Sequence, residues 1–367
     1  MKKLVLAISL FVTIVANCDS AKACTAAVVA AKASSEGGTI LWKNRDSAYH
    51  STIIQYIESE KYSYLGVVSI SKPEGGVLAG VNEKGFGIVN TATLNLPKNE
   101  ELKGTRSRPL FMRMALIHCA TIDEFEEFVR NYKRGYRFRT NVGVGDADGH
   151  AAFFEIWGDG YRRYDVDKTE RGIDFRSSFS FAGDMSNSER CRRRYDAMVE
   201  QTAQKQIFSA EDFYNYSRSY YVAGKGDALE NDEPLTTRLR ETVPYRSTVG
   251  SFSIVCGKHP RMLVSMGYPA ACPAIPVWME AKGAIPKCLS GNASYDLGRR
   301  FVEEAYVRVA KKNYALNKPL VREALKVKTK LPFPEQMPKN IEKFNRKVDK
   351  KFNRHRRRID ALLAEVE

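Results

Sequence analysis

Between Thr25 and Leu96 the apolar residues come in short runs, each closed by a turn cluster, and this pattern predicts strands. Thr25 to Ala31 is small and apolar, Ser34 to Gly38 is a turn cluster, and Thr39 to Asn44 is a second run, so the two runs form a hairpin. Further strands are expected at Ser51 to Ile57, Ser63 to Ile70 and Phe86 to Leu94. The pattern turns helical over Leu110 to Ala120, and Thr121-Ile122-Asp123-Glu124 opens a second helix as a capping box. Strands return at Asn141 to Gly145, Ala151 to Trp157, Asp174 to Phe181, Thr248 to Cys256 and Met262 to Met266, with helices at Asn187 to Val199 and Ala210 to Arg218. Blocks of strands separated by pairs of helices point to an α+β layered fold and not to a regular βαβ repeat.

After about Ser290 the character shifts. Ser294 caps a helix expected to run through Asn313, and a proline-containing break at Leu331 to Pro338 precedes a last helix. There Ile341, Phe344, Val348, Phe352, Ile359, Leu362 and Val366 recur at helical spacing, while Lys343, Arg346, Lys347, Lys350, Lys351, Arg354, Arg356, Arg357 and Arg358 occupy the other faces. The chain thus divides into a leader (1–23), a body (24–290) and a basic, helical C-terminal extension (291–367). Formal net charge is +15 over 367 residues, and much of it sits in that last helix. A charge run of this kind reads first as the solvated back of a packed helix, so no nucleic acid partner is expected. The amphipathic tail also offers a place for subunit contacts, which leaves a homo-oligomer open.

The leader changes the picture. Lys2 and Lys3 precede an apolar run from Leu4 to Ala16, too short to span a bilayer comfortably, and Ala21-Lys22-Ala23 forms a small-residue cleavage site. This is a secretory signal peptide, so a periplasmic or secreted protein is expected, with no transmembrane segment after its removal. Val15-Ala16-Asn17-Cys18 offers a rival lipoprotein reading through Cys18, disfavoured because Asn17 stands where a small residue is wanted. The seven cysteines form no C-x-x-C pair and the five histidines no recognisable spacing, so no metal and no cofactor is implied.

Cleavage after Ala23 would make Cys24 the first residue, with a thiol and a free α-amine together. An α-amine titrates near ~8, against ~10.4 for a lysine, so one residue supplies both nucleophile and general base.

The residues beyond Cys24 strengthen that reading. Cys24-Thr25, Gly37-Gly38 and Leu41-Trp42-Lys43-Asn44-Arg45-Asp46 resemble the opening of N-terminal-nucleophile amidases, which begin Cys-Thr or Cys-Ser and return on a strand ending Arg-Asn-x-Asp. Gly80-Val81-Asn82-Glu83-Lys84-Gly85, Asn141 to Gly149 and Arg176-Ser177-Ser178-Phe179-Ser180 continue the resemblance. It points to the acyl-coenzyme A:isopenicillin-N acyltransferase and carcinine hydrolase-like group, related to choloylglycine hydrolases and penicillin V acylases, and covers roughly Cys24 to Trp278.

The resemblance implies a four-layer αββα fold, with Cys24 starting a central strand and Asp46 holding its α-amine. It also implies a cation beside the thiol, which is Lys43 where the family has arginine, with Arg45 next to it. Asn90, polar on an otherwise apolar face, is either part of an oxyanion hole or an asparagine satisfied inside the core. Ser178 stands where the family has an asparagine donor. The function implied is cleavage of a linear amide C–N bond in a small molecule through a Cys24 thioester. The alternatives are acyl transfer or dipeptide cleavage with the same nucleophile, or a binding protein that keeps the fold with weakened catalysis.

Overall fold

The computed structural model describes residues 24–47, 51–97, 107–132, 138–158, 160–186, 188–237 and 240–366. The expected signal peptide, and Cys18 within it, lies outside them.

The first two strands, β1 (Thr25–Val29) and β2 (Ile40–Asp46), pair antiparallel as the hairpin that the turn cluster predicts. A meander comes next through β3 (Thr52–Ile57), β4 (Tyr64–Ser69), β5 (Ala79–Asn82) and β6 (Gly87–Ala92). Helices α1 (Arg108–His118) and α2 (Ile122–Asn131) interrupt it. It resumes as β7 (Thr140–Gly145), β8 (Ala151–Trp157) and β9 (Gly160–Asp165). Strand β10 (Ile173–Arg176) then returns to pair with β1. Helices α3 (Glu189–Thr202) and α4 (Ala210–Tyr216) and a short ribbon of β11 (Tyr221–Val222) and β12 (Gly226–Asp227) lead to β13 (Thr248–Val255), β14 (Arg261–Met266) and β15 (Ile275–Trp278).

Two antiparallel sheets result, one ordered β10-β1-β2-β13-β14-β15 and one running from β3 to β9 in sequence order. They pack face to face. Ala26, Val28 and Leu41 of the first sheet meet Val67, Val81, Val89 and Phe153 of the second in one core cluster. The outer face of the second sheet buries Phe86, Ile88, Val144 and Phe154 against Phe111, Leu116 and Phe125 of α1 and α2. The outer face of the first buries Ala27, Ile40 and Trp42 against Met198 of α3 and Phe213 of α4. Strand β1 is therefore covered on both sides, which is why its sequence is apolar from Ala26 to Val29 instead of alternating. The layer order is αββα. Gly143 permits a close approach of the sheets, since a Cβ there would lie 2.6 Å from a methyl of Val28.

Local rules explain the junctions. The Asn82 amide donates to the carbonyls of Leu116 and Cys119 at the end of α1, while its oxygen accepts from the Lys84 and Phe86 amides across the Gly85 turn. The capping box before α2 closes with a shift. Thr121 accepts from the Glu124 amide, but the Glu124 carboxylate reaches the amide of Ala120.

Two expectations are corrected. The helix expected from Ser294 to Asn313 stops early: α5 is Ala293–Ala305, and the chain continues as a hairpin of β16 (Tyr306–Ala310) and β17 (Asn313–Leu316), turning at Lys312 with φ 57°. Val307 and Val309 explain the change, because β-branched residues on alternate positions favour a pleated strand. The strand expected from Asp174 to Phe181 ends at Arg176, and the rest is loop. After the hairpin come α6 (Lys318–Lys326) and α7 (Ile341–Ala364). Helix α7 docks its apolar stripe on the body: Val348 and Phe352 join the core cluster that fills the space between the sheets, and Ile359 and Leu363 pack with α5, α6 and the turn at Tyr268 to Cys272. Among the described residues no helix is long and apolar enough to cross a membrane.

Candidate active site

Hairpin register sets the nucleophile's neighbours. Thr25 pairs with Asn44, so Cys24, immediately before β1, lies beside the end of β2, its Sγ 3.9 Å from the backbone oxygen of Asp46. A cavity of about 420 Å³ opens there, and Cys24, Lys43, Arg45, Asp46 and Asn90 all contribute to its wall. Five of the six residues expected from sequence thus meet at one place.

Lys43 is almost fully buried and donates to the carbonyl of Leu78 at 2.8 Å and to Oδ1 of Asn90 at 2.7 Å. Burial pulls its ammonium down to about 8; the negative charge of a Cys24 thiolate opposes that fall, and Arg45 and Arg108 add to it. Asn90 passes the network on by donating from Nδ2 to Oγ1 of Thr140 at 3.1 Å. The side chain is thus satisfied within the site, and it also lines the cavity.

Asp46 is buried with both oxygens engaged. Oδ1 accepts from Thr248 Oγ1 at 2.6 Å and Oδ2 accepts from Arg194 Nη1 at 2.6 Å. Burial raises its pKa, with Arg194 and Thr248 pulling the other way. Arg45 is buried as well, and its Nη1 has no hydrogen-bond partner. Arg108, at the first turn of α1, completes the ring of positive charge together with Lys72 at the rim.

Ser178 is placed differently. It is buried, and continuing the register of Ala26 with Arg176 sets it opposite Cys24, yet it is not among the residues lining the cavity. Its backbone oxygen accepts from the Leu94 amide. The loop that carries it is pinned by side chains. Glu155 accepts from Arg176 Nε at 2.8 Å and from the amides of Phe181 and Ala182, while Asn141 donates to the carbonyl of Phe179.

Sequence reasoning missed Arg194, Thr248, Arg108 and Lys72. For Arg194 a signal existed: in α3 it shares a buried face with Ala197, Met198 and Thr202, so one arginine of the run Arg192-Arg193-Arg194 is spaced for the interior. The other three come near Cys24 only through the fold. No cluster of metal-ligating side chains occurs among the described residues.

No curated protein sequence matches the chain. Similar solved structures include a mutant form of the conjugated bile acid hydrolase from Clostridium perfringens, 14% identical, covering 70% of this chain and 92% of that one with a TM-score of 0.43. Penicillin V acylase from Agrobacterium tumefaciens is 11% identical over 70% of this chain and 86% of its own, with a TM-score of 0.41. The Caenorhabditis elegans ortholog of N-acylethanolamine-hydrolyzing acid amidase is 16% identical, covering 63% and 92%, with a TM-score of 0.40. Residues 33–168, the segment that holds Lys43, Arg45, Asp46 and Asn90, match the model of the acyl-coenzyme A:6-aminopenicillanic acid acyl-transferase family.

Proposed function

We propose that the mature protein is an exported cysteine amidase of the N-terminal-nucleophile type, hydrolysing linear amides through a thioester on Cys24. One observation carries the reading: Cys24, at the start of a central strand, lines a cavity together with Lys43, Arg45, Asp46 and Asn90. Export is inferred from the leader and its Ala21-Lys22-Ala23 site, and cleavage there frees the α-amine that the mechanism uses.

In this scheme the α-amine, directly or through one water, takes the thiol proton, and Lys43 and Arg45 stabilise the thiolate. Sulfur attacks the amide carbon, and the carbonyl oxygen becomes an oxyanion. Asn90 Nδ2 gives one N–H to Thr140 and keeps the other for that charge. Collapse breaks the C–N bond, and the leaving amine takes a proton from the α-ammonium. Water then adds to the thioester and restores the thiol. Asp46, held by Thr248 and Arg194, orients the α-amino group in both of its protonation states.

The match to an acyl-transferase family favours a second reading, in which an amine replaces water at the thioester. The test is the intact mass of the exported protein, followed by brief exposure to N-acyl amides. We expect a chain beginning at Cys24 that gains the acyl mass, a gain and a turnover both lost in Cys24→Ala. A chain beginning elsewhere, or full turnover in Cys24→Ala, sinks the proposal. Added amines that divert the acyl group identify the transferase.

A further inference from the structure

Helix α7 lies outside the segment that matches the acyl-transferase family, and its outward face takes no part in the chemistry at Cys24. Its buried stripe, Asn345, Val348, Phe352, His355, Ile359 and Leu363, fixes which side meets solvent. Opposite that stripe run Lys343, Lys347, Lys350, Arg354 and Arg357, all exposed and spaced alternately four and three residues apart. Such spacing sets them in one line along the helix, about 21 Å long at the rise of an α-helix. Arg346, Lys351 and Arg358 flank the line and are exposed as well.

The carboxylates of α7 do little to neutralise this ridge. Asp349 accepts from the amides of Lys287 and Cys288, Asp360 pairs with Arg300 at 2.7 Å, and Glu342 meets Arg346 at 3.9 Å. Among the described residues no carboxylate pairs with the five cations of the line. Like charges three and four residues apart repel, so the ridge weakens the helix it stands on. An anionic surface laid along it would relieve that repulsion. Two features favour a bilayer over a nucleic acid. The ridge offers no aromatic ring on which a base could stack, because Phe344 is turned against Trp278 and Phe352 is in the core. In the β16–β17 hairpin, whose base packs with Ile359 and Leu363, Val307 and Val309 are each 55% exposed with Arg308, Lys311 and Lys312 beside them. Apolar side chains set among cations suit the boundary between headgroups and acyl chains.

We propose that the outward face of α7 is a docking surface for anionic phospholipid headgroups, seating the protein on a bilayer while its apolar stripe stays in the body. This goes beyond the amidase reading and does not depend on it. Each lysine or arginine held near an anionic surface strengthens binding about fivefold.

The experiment co-sediments the protein with vesicles of phosphatidylcholine containing about one third phosphatidylglycerol. The protein is freed of its leader, because the apolar run from Leu4 to Ala16 would hold vesicles by itself. Pure phosphatidylcholine vesicles are run beside them, from about 0.1 M to about 1 M salt. Two double variants are compared. Lys347→Gln with Arg354→Gln alters the ridge, and Lys61→Gln with Lys84→Gln removes the same charge from the β3–β4 and β5–β6 turns. We expect binding to the anionic vesicles alone, lost at the higher salt, about tenfold or more weaker in the ridge variant and nearly unchanged in the turn variant. The ridge side chains point to solvent, so the melting temperature of that variant should hold or rise. Equal binding to both kinds of vesicle, binding to neither, or equal weakening in both variants overturns the inference. So does a DNA duplex of random sequence that strips the protein from the vesicles at equal phosphate concentration, which would make nucleic acid the partner.

Discussion

Lys43 carries a positive charge into a wall that water barely reaches. Its position on β2 reflects the strand's alternation: Trp42 faces the outer layer, where its indole N–H donates to Ser251, and Lys43 and Arg45 fall on the face that meets the cavity. Burial lowers the ammonium pKa to about 8, and the α-amine of an N-terminal residue titrates near ~8 as well. The reaction needs the α-amine deprotonated and Lys43 charged, so kcat/KM should rise and then fall within a narrow window around that pH. Lys43→Arg separates the two limbs, because a guanidinium stays protonated throughout. The fall at alkaline pH should disappear while the rise remains. An unchanged descent in the pH–rate profile of Lys43→Arg would assign it to another group. Lys43→Met, lacking the charge, should lose about a hundredfold in kcat/KM at the optimum. How much of this site was legible in the sequence depends on how locally each residue is placed. Cys24, Lys43, Arg45 and Asp46 lie within one hairpin, so a motif and a period-two count bring them together. Asn90 was legible as a polar side chain on an apolar strand face. Arg194 was hidden because three neighbouring arginines read as a solvated helix, and only its register with Ala197 and Met198 separates it from them. Arg108 and Lys72 reach the cavity through packing between elements, which no local spacing records.

At the scale of elements, most strands of the two sheets were readable because buried runs and turn residues alternate cleanly, but β5, β9 and β15 were missed. The loop after β10 was misread. Its residues Ser177 to Phe181 look strand-like, but the Glu155 carboxylate accepts the amides of Phe181 and Ala182 and so takes them out of any ladder. Glu155 and Arg176 are both fully buried, and three rings, Phe153, Tyr164 and Phe181, lie within 5 Å of the guanidinium. Breaking such a pair by removing one charge leaves the other stranded. Glu155→Gln should therefore cost about 3 kcal/mol in urea unfolding. It should also speed hydrogen exchange at the amides of Phe181 and Ala182, which lose their charged acceptor. A loss below about 1 kcal/mol with unchanged exchange would show that Asp174, 2.6 Å from Arg176, holds the guanidinium on its own.

At the scale of the whole molecule, α7 acts as a strap across the body, and its basic residues are the outer side of a packed helix. The ring of Phe344 meets Trp278 edge-on at 5.4 Å, Asp349 accepts from the amides of Lys287 and Cys288, and Phe352 enters the core. His355 lies on the same buried stripe, its Nε2 2.9 Å from the carbonyl of Ala271 and its Nδ1 3.0 Å from Thr329 Oγ1. Neutral imidazole satisfies both, donating to the carbonyl and accepting from the hydroxyl. Burial lowers its pKa from 6.5 to about 4; the bond to Ala271 opposes the fall, and Arg218 and Arg358 deepen it. Above pH 6.5 the ring is neutral in both folded and unfolded chains, and its full contribution to stability is present. As pH falls from there towards 4, the unfolded chain binds a proton that the folded one resists, so about 3 kcal/mol is lost across that window. Denaturant titrations at neutral pH and near pH 4 should show His355→Gln less stable than the unaltered protein at neutral pH but with a flatter acid dependence. An identical acid loss in both proteins would place the sensitive group elsewhere, and α7 would then hold by apolar contact alone.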